Sequence, residues 1–310
     1  MLWLQLRPRL HYSPEAVKEY LRSGLVISYV AATPDGEIVG HVALARERPE
    51  DSVGDMGQAV VDPRYRGRGL LEELSVCVVK KAREDGLAGA FAEAVTAHPY
   101  SQKSARFLGF HETGVLLGFI PTTMIFRKIE DQEAPRRGSI ILFYMVFNER
   151  PEAPVYPPLH HERIIRRIYE NAGIQRSFLS AGSIGQPHAL PSRSRIDTRV
   201  QTGLNSARLR VLEYGSDLET AVRVRLRMLC NHRIDCIYTD LPLDSPAVGP
   251  ACVSLEKLGF FFGGIIPETP AGDILRLQYL NDVETDPADS QTASEFSREL
   301  MDYVMKARPS

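Results

Sequence analysis

Hydrophobic positions along this chain switch between a period of two and a period near 3.6, and the switches set out the elements. Ser13-Pro14 predicts a capped helix start, with Val17, Tyr20 and Leu21 on its apolar face and Gly24 as its stop. LVISYVAAT and EIVGHVALA read as two strands joined at Pro34-Asp35-Gly36, and GDMGQAVV as a third strand. Leu70, Leu71, Leu74, Val78 and Ala82 then mark one helical face that Gly86 ends. LAGAFAEAV reads as a strand and HPYSQKSARFLGF as a short helix. ETGVLLGFI and SIILFYMVF read as strands on either side of the charged loop IEDQEAPRRG. The fold class is α/β with a mixed, mostly antiparallel sheet flanked by helices.

Proline-rich PEAPVYPP, residues 151–158, marks a linker, which divides the chain into 1–150 and 159–310. Beyond it, Ile164, Ile165, Ile168 and Tyr169 share one helical face, and SFLSAGSIGQPHALPSRS is loop-like. Ser216-Asp217-Leu218-Glu219 has the pattern of a capping box before a helix through Leu229. DCIYTDL predicts a strand, VGPACVSLEKLGF a helix, and FFGGIIP and DILRLQYL two strands. DVETDPADSQTAS is expected to be mobile, and Phe296, Leu300 and Val304 suggest a terminal helix. Three segments recur in the same order: LGF (Leu108–Phe110, Leu258–Phe260), GFIP and GIIP (Gly118–Pro121, Gly264–Pro267), and GSIILFYMVFN and GDILRLQYLN (from Gly138 and from Gly272). The second half is therefore expected to be a diverged copy of the first.

Composition narrows the class of function. The 310 residues carry a net charge of -2, which gives nucleic acid no broad basic field to bind. The four cysteines form no disulfide framework, and Cys230, His232 and Cys236 lack zinc-ligand spacing, so no metal is expected. MLWLQLRPRL breaks at Arg7 before a signal-peptide core could form. No apolar run approaches the ~20 residues that span a bilayer. The expectation is a cytoplasmic protein with no membrane or nucleic-acid partner, for which a homodimer is compatible. His160 and His161 are expected to be exposed at a helix start.

Candidate chemistry concentrates in VDPRYRGRGLLEEL, from Val61. Gly67 and Gly69 let successive N–H groups turn into one concavity, and a helix starting near Leu70 adds unpaired N–H groups and the positive end of its dipole. Such a cradle suits a pyrophosphate. A P-loop is excluded because no Gly-Lys-Ser/Thr follows, and a dinucleotide fingerprint because the third glycine and distal acid are missing.

With its lead-in Val61-Asp62-Pro63, this stretch resembles the acetyl-CoA loop of the GCN5-related N-acetyltransferases (GNAT superfamily), [QR]-x-x-G-x-[GA]; Arg64, Gly67 and Gly69 fill the motif. HPYSQKSARFLGF resembles the family's penultimate helix, and the likeness spans about residues 13–148. It implies two GNAT-like domains, of which the second lacks the loop and binds no CoA. It implies that acetyl-CoA serves as co-substrate, with backbone N–H groups of Arg66, Gly67, Arg68, Gly69 and Leu70 on its pyrophosphate and main chain at Ala59 and Val61 on pantetheine. The implied reaction is direct attack by the amine of a small molecule or peptide, with Asp55 or Glu93 as base. Each of these acids has a plain alternative, Asp55 as the end of a polar loop and Glu93 as a solvent-facing strand residue.

This chain departs from the family pattern at three places. Ala105 stands where many members carry the tyrosine that protonates the leaving thiolate; Tyr100 is the substitute candidate, or a packing residue. His98 stands where an asparagine often touches CoA. WLQLRPRL either supplies an abbreviated first strand or leaves one wall of the acceptor site short. A non-catalytic acyl-CoA sensor or scaffold is the alternative function.

Overall fold

The computed structural model describes residues 13–124, 136–180, 189–270 and 272–309; the expectation for WLQLRPRL, most of that for IEDQEAPRRG and part of that for SFLSAGSIGQPHALPSRS lie outside these residues. Helix α1 (Pro14–Arg22) starts as its sequence requires, with the Ser13 hydroxyl accepting from the Ala16 N–H at 3.1 Å. Strands β1 (Val26–Ala32) and β2 (Ile38–Ala45) form the hairpin, and β3 (Val53–Val61) adds antiparallel to β2. Then come α2 (Leu70–Glu84), β4 (Gly89–Val95), α3 (Tyr100–Phe107), β5 (His111–Ile120) and β6 (Gly138–Val146).

The proline-rich segment contains β7 (Ala153–Val155), which pairs with β8 (Arg176–Phe178) across helix α4 (Glu162–Ala172). Val155 is buried, and the Tyr156 N–H donates to the Leu243 carbonyl at 2.8 Å. The remaining elements are β9 (Arg195–Gln201), β10 (Ser206–Glu213), α5 (Leu218–Asn231), β11 (Cys236–Pro242), α6 (Val248–Glu256), β12 (Phe261–Thr269), β13 (Gly272–Leu280) and α7 (Glu295–Ala307).

Among the described residues, eleven strands join into one sheet in the order β1-β2-β3-β4-β6-β5-β12-β13-β11-β10-β9. Read outward from the centre, each half repeats the same order. β5 and β12 are the inner strands, and in each half one parallel contact (β3 with β4, β10 with β11) sits among antiparallel ones. The halves meet where Gly114 of β5 pairs with Gly264 of β12. Within each half these glycines hold the same place, since Gly114 opposes Leu142 and Gly264 opposes Arg276, each just after a bulge. The two main chains approach so closely that a Cβ on Gly114 would lie 2.4 Å from the Gly263 carbonyl oxygen.

This register corrects one sequence repeat. Gly264 corresponds to Gly114, not to Gly118 as the GFIP and GIIP match suggested. The bulge that holds Gly118 at φ 61° has as its counterpart the bulge that holds Glu268 at φ 57°. Repeats LGF and GSIILFYMVFN/GDILRLQYLN keep their places, and Gly138 and Gly272 each begin a strand.

Two further expectations change. Ser216 forms no capping box: the N-cap of α5 is Asp217, with no capping bond from its side chain into the helix, and the Ser216 hydroxyl points to the Ser192 carbonyl. DVETDPADSQTAS, expected to be mobile, is hydrogen-bonded to the first half. The Gln291 N–H donates to the Thr96 carbonyl at 2.7 Å, and the Gln102 side chain bonds both Gln291 O and Ala293 N.

Helices cover one face of the sheet, over a core continuous through both halves. Val42, Leu74, Val78 and Phe143 belong to it together with Leu209, Val222, Leu255 and Leu275. Each such side chain contributes about 1.5–3 kcal/mol of apolar burial. The opposite face curls on itself. Glu47, just past β2, reaches Arg199 of β9 and Arg208 of β10, both at 2.9 Å, so the sheet's far ends approach each other. No described helix is long and apolar enough to cross a membrane.

Candidate active site

Parallel strands β3 and β4 pair only at Val53–Gly89, Gly54–Ala90 and Asp55–Phe91. Beyond Asp55 they part, and Gln58, at φ 51°, kinks β3 away. Ala59 and Val60 stand exposed on the separated stretch, and Val61 is half-buried. In the second half β10 and β11 stay paired over five positions, Ser206–Cys236 to Arg210–Asp240.

At the far end of β3 the chain makes a short turn, Pro63–Tyr65, then enters the glycine loop. Gly67 and Gly69 have φ of 72° and 77°, a conformation that costs other L-residues about 1–2 kcal/mol. A Cβ at either would meet nothing within 4 Å, so the space in front of the loop is open. Gly69 caps α2 with no side chain closing the helix start. Among the described residues, the N–H groups of Gly67, Arg68 and Gly69 have no protein acceptor, whereas that of Arg66 is taken by the Pro63 carbonyl at 3.4 Å. The arginine side chains brace the loop itself: Arg64 pairs with Asp62 and Glu37, Arg66 bonds the Val61 carbonyl, and Arg68 lies over the Tyr65 ring. The cradle is thus main chain, and these residues fit a pyrophosphate.

The corresponding place in the second half is filled by the protein. The Ser194 N–H donates to Asp217 at 2.6 Å, the Ser216 N–H donates to the Pro191 carbonyl at 2.9 Å, and the Gly215 N–H donates to the Ser194 hydroxyl at 2.9 Å. A Cβ on Gly215 would lie 2.3 Å from the Arg193 carbonyl carbon. An acidic N-cap and a packed segment leave no room for an anion there.

At the point where β3 and β4 part, Asp55 and Glu93 enter one cavity of about 440 Å³. Neither carboxylate has a hydrogen-bond or ion-pair partner among the described residues. Burial pushes Asp55 up to about 6. Burial, and then the Asp55 charge, push Glu93 up to about 8. The cavity's other wall comes from the second half: Arg208 and Arg210 of β10, Asp240 of β11 and Arg276 of β13. Asp240 accepts two bonds from Arg276, at 2.7 and 2.9 Å, and that charge, opposing burial, holds its pKa below the usual range.

His98 and Tyr100 lie apart from this cavity, where β4 leads into α3. Their rings are 5.3 Å apart, Tyr100 is 72% exposed, and the buried His98 Nδ1 has no partner. Sequence reasoning missed Glu47, Arg208, Arg210, Asp240 and Arg276. The signal for two of them was present in SARLRVLE, where arginines alternate with Leu209 and Val211.

One histidine expectation is corrected. His161 is buried, because its ring packs 5.0 Å from Phe262. Its Nδ1 meets the Tyr303 hydroxyl at 2.7 Å and its Nε2 meets Glu256 at 2.8 Å, while the exposed His160 meets the same carboxylate at 3.0 Å. Ligand atoms of His160, His161, Cys252 and Glu256 lie within 4.8 Å of one another, and these hydrogen bonds account for their convergence. Cys236 is buried with its thiol on the Gly118 carbonyl, and Cys230 is half-buried.

Comparison with known proteins places the match on the half that holds the cradle. Residues 2–110 match the family model described as acetyltransferase (GNAT) family. Solved structures to which the chain is similar include spermidine/spermine N-acetyltransferase from Vibrio cholerae, 13% identical over 43% of this chain and 72% of that one, TM-score 0.35. Ribosomal-protein-S18-alanine N-acetyltransferase from Escherichia coli is 18% identical over 48% and 87%, TM-score 0.34. Nourseothricin acetyltransferase is 20% identical over 40% and 66%, TM-score 0.31. No curated protein matches the chain.

Proposed function

We propose that this chain, whose residues 2–110 match the GNAT acetyltransferase family, moves an acyl group, acetyl in the first instance, from CoA to an amine, with the first half as the acting domain and the second as a degenerate copy. The observation that carries the reading is the parting of β3 from β4 at Asp55, with an open main-chain cradle beyond it and, at its apex, two acids that have no hydrogen-bond or ion-pair partner among the described residues. Gly67, Arg68 and Gly69 would hold the pyrophosphate by their N–H groups, and the separated main chain at Ala59 and Val61 would take the pantetheine arm. When bound, the thioester supplies the activated acyl carbon.

Asp55, the first of the pair to ionise, draws the acceptor's ammonium into the cavity. Glu93, the stronger base because its pKa is higher, takes the proton, which suits a group that titrates near neutrality. The freed nitrogen bonds the acyl carbon as the C–S bond breaks, and CoA leaves as a thiolate that solvent protonates. Tyr100 stays a candidate for that last proton only through a movement of α3, since it now faces solvent.

Isothermal titration with acetyl-CoA tests the reading. One equivalent per chain is expected, lost in Gly67→Trp; no binding sinks it, and two equivalents contradict the closed second half. A non-catalytic acyl-CoA sensor is favoured by Ala105, buried where the family's tyrosine stands. Release of free CoA dependent on any amine rules that second reading out.

A further inference from the structure

The two walls of the cavity carry opposite charge. On the first half's wall, Asp55 and Glu93 make no hydrogen bond or ion pair among the described residues, and the charges of Arg276 and Arg208 across the cavity do not offset the burial that raises Glu93. On the second half's wall, Arg208, Arg210 and Arg276 share two carboxylates, Glu47 and Asp240, and Glu47 is also taken by Arg199. Arg210 is the least satisfied of these cations. Among the described residues its closest carboxylate oxygen, on Glu47, is 3.8 Å away, and no acceptor lies within hydrogen-bond distance. The positions correspond between the halves: Asp55 opposes Phe91 as Arg208 opposes Tyr238, each in the parallel strand pair. Where the acting half turns an acid into the cavity, the copy turns a guanidinium.

We infer, building on the proposed acyl transfer, that the acceptor is a small molecule carrying both an amine and an anionic group. Its ammonium sits against Asp55 and Glu93, and its carboxylate or phosphate sits across the cavity on Arg208 and Arg210. A guanidinium presents paired N–H donors that match either anion. Recognition at both ends orients the amine toward the parting of β3 and β4, where the acyl group would arrive. A volume of about 440 Å³ holds a molecule of amino-acid size and its water. Burial and the Arg208 charge push the pKa of Arg210 down, which an incoming anion would reverse.

The full chain tests this in two ways, by calorimetry without CoA and by CoA release with acetyl-CoA present. Three amines of similar length serve as probes: 4-aminobutanoate, phosphoethanolamine and putrescine. Binding of 4-aminobutanoate or phosphoethanolamine at least tenfold tighter than putrescine supports the inference, and the tighter of the two names the anion. Arg210→Met should weaken that binding tenfold or more, and Arg210→Lys should restore part of it. Because Arg210 makes no hydrogen bond among the described residues, circular dichroism of both variants should match the parent. Putrescine binding as well as the anionic amines overturns the inference, as does failure of all three probes on a protein that binds acetyl-CoA. Failure to bind acetyl-CoA sinks the acyl-transfer reading instead, and leaves the direct calorimetry to judge the two-ended cavity.

Discussion

Glu93 and Asp240 hold the same strand position in the two halves, yet their acidities move in opposite directions. Glu93 opposes Leu142 across β4 and β6, and Asp240 opposes Arg276 across β11 and β13. Beside a guanidinium, the buried acid is held ionised. Beside leucine, it is pushed up to about 8. Two exchanges between the copies, Leu142 for Arg276 and Asp55 for Arg208, separate a structural ion pair from a group able to accept a proton near neutrality.

A pH profile follows from that contrast. The rate at low acceptor concentration should rise with pH as Glu93 ionises, with an acid limb that ends near 8. Asp55→Asn removes the like charge, so the limb should move to lower pH. Glu93→Gln should cut the rate about 10²–10⁴-fold. Stability supplies a readout that needs no acceptor. A raised carboxyl pKa means the folded state holds the extra proton, so this site weakens the fold as pH rises from about 4.5 to 8. Glu93→Gln should therefore gain stability over the parent progressively across that window, by on the order of 1–3 kcal/mol at its upper end, read as a growing difference in melting temperature. A constant difference in melting temperature would contradict the assignment.

The Asp240–Arg276 pair makes the converse prediction. Arg276→Met leaves a buried carboxylate alone and should destabilise the protein by about 3–5 kcal/mol in urea titration. Replacing both partners, as Asp240→Leu with Arg276→Met, should recover most of that loss, because two apolar groups need no compensation. If the double variant is as unstable as the single, the pair's worth lies elsewhere in the cavity wall.

Much of the first half was legible in its sequence because its periods are clean. β1 to β6 alternate or run apolar between glycine and proline breaks, and α2 shows its buried face at Leu74, Val78 and Ala82. β9 and β10 went unread because RIDTRVQ and SARLRVLE look like charged coil. Arg208 and Arg210 of β10 face a cavity rather than a core, and the buried apolar residues of that strand are Ala207, Leu209 and Val211. The polar stretch before α7 shows no apolar period, with Val283 its one large apolar residue, yet side chains of Thr96 and Gln102 hold it, contacts distant in sequence that no local pattern carries. Asp55 and Glu93 were named from strand position, while their shared cavity depends on how an eleven-stranded sheet curls.

A glycine comparison separates cradle from strain. Gly67 and Gly36 have φ of 72° and 90°, and a Cβ at either would meet no atom within 4 Å. Valine at either position should cost a similar 1–2 kcal/mol or more of backbone energy. Only Gly67→Val should weaken acetyl-CoA binding, by tenfold or more in calorimetry, because its side chain would stand over the N–H groups of the loop. Equal losses from both variants would assign the effect to stability instead.

The contact between Gly114 and Gly264 fixes how far apart the cavity walls stand. A side chain on Gly114 would collide with the main chain at Gly263 and Gly264, which no rotamer change relieves. Gly114→Val should therefore cost about 3 kcal/mol or more, or split the single unfolding transition in two as the halves lose their shared sheet. The cradle lies on the first half alone, so acetyl-CoA binding should survive at temperatures where the variant is folded. Acceptor binding, which needs Asp55 and Glu93 from one half and Arg208 and Arg210 from the other, should fall by tenfold or more. Calorimetry with both ligands on one preparation reads the difference, and parallel loss of the two would place the donor site across the junction as well.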